Sequence, residues 1–150
     1  MKKYKFRLEP VLELRAKKLD EKRLELAEIQ KLISDEQKLK DDLELRKKNA
    51  NEELIKLYSD ENSLKIHEIE LYKGFLAKTQ IEINQKEEKI KQITFFLKAK
   101  QTEVNEALKE KKILEKLKEK EKEKYINDFL KLEAKELDDI ASSRYERLIS

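Results

Sequence analysis

One hundred and fifty residues would suit one globular domain, but 46% of them are charged and the chain holds one glycine and one proline, whereas globular chains carry roughly a quarter charge and many turn formers. Such a chain is mostly long helix, with apolar burial spread along a seam two helices wide instead of a compact core. Its 36 Lys and Arg are set against 33 Asp and Glu, so no single-sign field exists to drive nucleic-acid binding, and the absence of cysteine excludes disulfides and thiolate metal sites.

The opening Met1-Lys2-Lys3-Tyr4-Lys5-Phe6-Arg7 is basic, yet no apolar run of signal or membrane-spanning length follows, so the chain reads as soluble and cytoplasmic. Residues 1 to 8 alternate Tyr4, Phe6 and Leu8 against Lys3, Lys5 and Arg7. Pro10 is tolerated in a first helical turn, where its missing N–H would be unbonded anyway, and places the start of helix 1 near Glu9. From there Leu12, Leu19, Leu26, Ile33 and Leu54 share one heptad position and Leu8, Ile29, Leu43, Ala50 and Leu57 the other. Arg15, Lys22, Glu36, Lys40 and Lys47 interrupt this register, weakening the seam but penalising other pairings. Leu32 and Leu39, on a flanking position, are expected to widen the apolar strip there.

The sequence predicts helix 1 over about 9–58. Ser59-Asp60-Glu61-Asn62-Ser63 is the one cluster of turn formers, a hairpin turn at 59–63 with Asn62 or Ser63 capping the next helix. Helix 2 is expected over about 64–141. Its Ile69, Leu76, Ile83, Ile90, Leu97 and Val104 recur every seventh residue, with Tyr72, Thr79, Lys86, Ile93, Lys100, Ala107 and Leu114 forming the second row. Gly74 keeps this register, so it reads as a mid-helix glycine costing roughly 1 kcal/mol against alanine. Folded back antiparallel, facing positions have residue numbers that add to about 126, matching Leu57 with Ile69, Leu43 with Ile83, and Leu12 with Leu114; a register seven residues shorter is nearly as good.

Helix 1 runs out opposite residues 110 to 118, leaving roughly 25 to 30 residues of helix 2, about 40 Å, without an intrachain partner. Lys118 to Lys124 has no apolar residue and reads as solvated. Beyond it Tyr125, Ile126, Phe129, Leu130, Leu132, Leu137 and Ile140 return at helical spacing, which calls for an external partner, and Ser142 to Ser150 are expected to fray.

No catalytic or metal constellation is legible. His67 is the only histidine and reads as an exposed helical residue, the paired carboxylates face water, and no glycine-rich loop exists to cradle phosphate. Neither a cofactor nor a small-molecule substrate is expected. Tyr58, Tyr72 and Phe75 gather near the hairpin tip, as packing or as a docking patch. Phe95 and Phe96 flank Leu97 and are expected to pack at the seam edge.

The run Phe6-Arg7-Leu8-Glu9-Pro10-Val11-Leu12-Glu13-Leu14-Arg15 resembles the Phe-x-Leu-x-x-Val-Leu-x-x-Arg opening of the FliJ family of flagellar export proteins. Leu114-Glu115-Lys116-Leu117-Lys118-Glu119, Tyr125, Glu133, and Glu136 to Ala141 with Arg144 resemble that family's C-terminal signature. The resemblance covers nearly the whole chain. It implies an all-α fold, a long antiparallel two-helix coiled-coil hairpin whose second helix is the longer, similar to the gamma stalk of rotary ATP synthase. It also implies a non-enzymatic stalk at the flagellar base, on the inner face of the cell membrane. Such a stalk inserts in the hexameric export ATPase ring, contacts the cytoplasmic linker of the membrane export gate and escorts some export chaperones. On this reading Tyr72, Phe75 and Thr79 meet the gate, and Phe6, Leu8, Tyr125, Ile126, Phe129, Leu130, Leu137 and Ile140 meet the ring. The alternatives are the equivalent stalk of a virulence-type secretion system, and a parallel homodimeric spacer in which the chain is one continuous helix.

Overall fold

A computed structural model of the chain describes residues 3–59 and 66–149. It holds two helices, α1 (Glu9–Ser59) and α2 (Ile66–Ile149), of 51 and 84 residues. The chain is an all-α helical hairpin, its second helix longer than its first. The Leu12 N–H donates to the Leu8 carbonyl at 2.9 Å, a turn that spans Pro10, so the proline stands where a backbone donor would have no helical acceptor. Glu9 stands in the first turn of α1 and Lys56 in the last, each favoured by the helix dipole at its own end. Ser59 closes α1 by donating its hydroxyl to the Ile55 carbonyl. The rest of the expected turn, its Asn62 or Ser63 cap and the expected start of the second helix near 64 lie outside the described residues.

The chain divides into two units, one of residues 22–104 and one of residues 1–21 with 105–150. In the first, Ala50, Leu54 and Ile83 are buried, and every seam position expected from the heptads is buried or half-buried. Cross-helix polar contacts set the register: Lys22 with Glu103, Glu25 with Lys100, Glu36 with Lys86 and Lys89, Lys40 with Glu87, and Lys47 with Gln80. The residue numbers of these pairs add to between 122 and 127, so the pairing is antiparallel and centred on the longer of the two expected registers. Leu32 and Leu39, at 46% and 50% exposure, do not widen the strip as expected. Lys86 and Lys89 answer Glu36 there and Glu87 answers Lys40, so ion pairs occupy the seam edge instead. Gly74 lies inside α2 with no positive φ, and α2 runs through it unbroken.

In the unit of residues 1–21 with 105–150, Leu19 is fully buried and Ala107 is 3% exposed. The bridges Arg15–Glu110, Lys18–Glu110 and Glu9–Lys118 give number pairs of 125 to 128, which sets position 19 opposite position 107. A leucine filling the space left by an alanine is the large-against-small packing of a coiled-coil layer. Residues 3–8 continue along α2 past the end of α1. Phe6 is buried, the Tyr4 ring lies 5.5 Å from that of Tyr125, and the Tyr4 hydroxyl donates to a Glu121 carboxylate oxygen at 3.4 Å.

Two further expectations need correcting. The chain pairs two of its own helices antiparallel, which overturns the continuous parallel spacer. Helix α2 also continues to Ile149, beyond the expected end at 141 and through the segment expected to fray. Residues 142 to 149 hold no glycine or proline, and Arg147 in the last turn answers the helix dipole.

Candidate docking surfaces

The seam charges are satisfied within the hairpin. Glu36, 7% exposed, accepts from the Lys86 and Lys89 ammonium groups at 2.9 Å each, and these bonds hold its carboxyl below the usual glutamate range. Lys100 donates to Glu25 at 2.7 Å and bridges Glu103 at 2.9 Å. Its pKa is raised by hydrogen bonds to Glu103 and then Glu25, while both carboxyls are lowered, each chiefly by its bond to Lys100. In the other unit, burial pushes the Tyr4 hydroxyl up, and the adjacent Glu121 charge adds to it. All of these groups are occupied by one another and offer little to a partner.

Near the start of α2, Leu71 and Phe75 stand one turn apart on the outer face at 60% and 42% exposure. With Tyr72, Glu68 and Ala50 they line an open groove of about 570 Å³. Thr79, expected beside them, is 3% exposed in the seam; its heptad position turns it to α1, and it cannot present itself with Tyr72 and Phe75. Leu71 was missed, although its i,i+4 spacing to Phe75 is the signal that finds it. Tyr58 is also exposed, with the Lys73 ammonium 5.8 Å from its ring centre. His67 is exposed as expected. Phe95 and Phe96 do not pack at the seam edge: they are 73% and 63% exposed and meet each other edge to face at 6.2 Å. The seam positions around them, Ile93 and Leu97, take the inward directions and leave both rings outside.

The residues expected to meet a ring fall into two groups. Phe6 is buried and Leu8 half-buried, so these two belong to the interior of their unit, and the Tyr125 ring packs tilted against that of Tyr4. Alternation in residues 3–8 is visible in the sequence, and the structure turns Phe6 inward and Lys5 and Arg7 outward, laying the segment back along α2. Ile126 and Phe129 are half-buried, and Leu130, Leu137 and Ile140 are exposed at 55%, 62% and 51%. Leu132, Tyr145, Leu148 and Ile149 extend the exposed apolar surface to the end of α2. Burying each such side chain would contribute roughly 1.5 to 3 kcal/mol.

The family model for the flagellar FliJ protein matches residues 4–148, which takes in both ends and both helices. The chain belongs to the FliJ family. No curated protein and no solved structure matches it. Membership in the FliJ family makes this a flagellar export-related protein, in agreement with the resemblance carried by Phe6 to Arg15 and by Leu114 to Arg144. Among the described residues no helix is long and apolar enough to cross a membrane, and no group of three His, Cys, Asp or Glu side chains is placed to hold a metal ion.

Proposed function

We propose that this FliJ-family chain is a non-enzymatic stalk of the flagellar export apparatus that docks the exposed end of α2 in the export ATPase ring and offers the groove at Leu71, Tyr72 and Phe75 to the cytoplasmic linker of the export gate. The observation that carries the reading is the exposed apolar surface from Leu130 to Ile149. It lies on a helix that outruns its intrachain partner, so occupying it costs the hairpin nothing. The seam positions, by contrast, are buried or paired. A chaperone-escort role rests on the family resemblance alone and belongs to the same proposal. Phe6 and Leu8 support the docking end from within and are not contacts, and Thr79 is no contact with the gate.

The test replaces Leu130 and Leu137 together by serine and measures ATPase stimulation, ring assembly and capture by the purified ATPase. Both side chains are more than half exposed, so the melting temperature should hold within about 2 °C, the shift that a surface change of up to 0.5 kcal/mol gives a chain of this size. Loss of all three ATPase readouts at unchanged melting temperature is the expected result. Full stimulation by the double variant would refute the docking end. Leu71→Ser with Phe75→Ser should in turn lose the gate linker while keeping the ATPase.

A further inference from the structure

Seam residues of α2 reach Tyr125 in strict heptads and Leu132 continues that row, while further apolar residues open a second direction beside it. At 100° per residue, Phe129, Leu130, Leu137, Ile140 and Leu148 fall in a stripe centred roughly a quarter turn from Tyr125. Leu137, Ile140 and Leu148 are 62%, 51% and 85% exposed. A longer α1 continuing along the seam would therefore not cover them. The middle of this stripe holds two charges of opposite sign, Glu133 and Arg144.

Their spacing selects an occupant. In an antiparallel pair of identical helices whose facing residue numbers add to 277, Phe129 faces Leu148, Glu133 faces Arg144, and Leu137 faces Ile140, while Leu130 meets the stem of Arg147 at the stripe's edge. The two-fold axis between 138 and 139 repeats each contact, giving the self-complementary patch that an isologous dimer requires. Other arrangements leave the charges opposed or unanswered. A parallel in-register pair sets Glu133 against Glu133 and Arg144 against Arg144, an antiparallel pair shifted one heptad down sets Glu133 against Leu137, and one shifted up sets Ile140 against Arg144. We infer that the exposed stripe of α2 from Phe129 to Leu148 is a homodimerisation surface, which takes the same stripe of a second copy of this chain, antiparallel, with Glu133 of each copy on Arg144 of the other. Dimer and ring-bound states then exclude one another, so dimerisation covers the apolar end when no ring is present.

The full-length chain, of 18.0 kDa, is examined by sedimentation equilibrium over a concentration series, alone and as charge variants. The wild type should pass from one to two chain masses with concentration. Glu133→Arg and Arg144→Glu should each remain monomeric, since each meets its own copy with like charges, and an equimolar mixture of the two should dimerise, since every facing pair is then opposite. Circular dichroism of each variant verifies that α2 is intact. In dimers of the wild-type stripe, spin labels on Asp128→Cys should lie about 30 Å apart, and those on Asp138→Cys should be close. A wild type that stays monomeric to about 1 mM, a dimer indifferent to either charge reversal, a mixture that fails to pair, or short distances at both labels would overturn the inference.

Discussion

Leu19 is the one large side chain among the described residues with no exposed surface, and its truncation measures how much the seam holds. Leu19→Ala removes three carbons, about 2.4 kcal/mol at 0.8 kcal/mol per buried methylene. The space left would face Ala107, which has no side chain long enough to fill it, so a cavity penalty adds to the transfer loss. The total should be about 3 kcal/mol, within the range known for buried leucines. Leu14, five residues earlier on the same helix, is 66% exposed, and Leu14→Ala should cost less than about 1 kcal/mol. Urea unfolding followed by far-ultraviolet circular dichroism gives both values from the shift in midpoint at constant slope. Equal costs for the two substitutions, or a cost below about 1 kcal/mol for Leu19→Ala, would mean that the heptads do not define the buried face.

The depressed carboxyls of Glu36, Glu25 and Glu103 make the folded chain bind fewer protons than the unfolded one, so their contribution is complete above about pH 4.5 and is lost as the pH falls through their folded values. Helicity should therefore drop in acid, and Glu36→Gln should flatten that limb; an unchanged acid profile would remove Glu36 from the account. The raised Lys100 acts in the opposite sense, its contribution complete below pH 10.5 and lost above it. A Cβ at Gly74 would meet nothing within 4 Å, so Gly74→Ala should stabilise the hairpin by about 1 kcal/mol in the same urea assay. Cysteines replacing Leu43 and Ile83 should oxidise to a disulfide within one chain, read as a monomer with altered gel mobility; purely intermolecular products would contradict the observed register.

What could be read from the sequence follows the strength of its periodicities. Two sustained heptad patterns fixed the seam, because a helical seam admits an apolar residue only at a recurring angle, and Leu43, Ile83 and Val104 are where that angle puts them. The breaker cluster after Leu57 marked the end of α1 for the same local reason. Less legible was anything decided by packing between distant segments. Phe6 alternates with basic residues, as an exposed recognition strand also would, and only its position against α2 makes it interior. Thr79, expected beside Tyr72 and Phe75, occupies a heptad position, and that position turns it toward α1. The end of α2 lacked a breaker, and only the weak expectation of fraying at a terminus argued for stopping it at 141.

Apolar pairing alone does not choose between the two registers that the heptads allow. Shifted to the shorter one, Leu43 would face Leu76 and Ile29 would face Ile90, both acceptable layers. The charges decide. In that register Glu36 would meet Thr79 and Glu82 in place of Lys86 and Lys89, Glu25 would meet Ile93 in place of Lys100, Lys22 would meet Phe96 in place of Glu103, and Lys47 would meet Lys73 in place of Gln80. Arg15, Lys22, Glu36, Lys40 and Lys47 thus each have an answering partner in the observed register, and Lys22, Glu25, Glu36 and Lys47 lose theirs in the rival one. Ion pairs at a seam edge add little net stability because they are solvated and mobile, but a buried or half-buried charge that loses its partner is penalised far more heavily than a paired one is rewarded. The charges that interrupt the heptads therefore act by excluding the wrong alignment of α1 on α2.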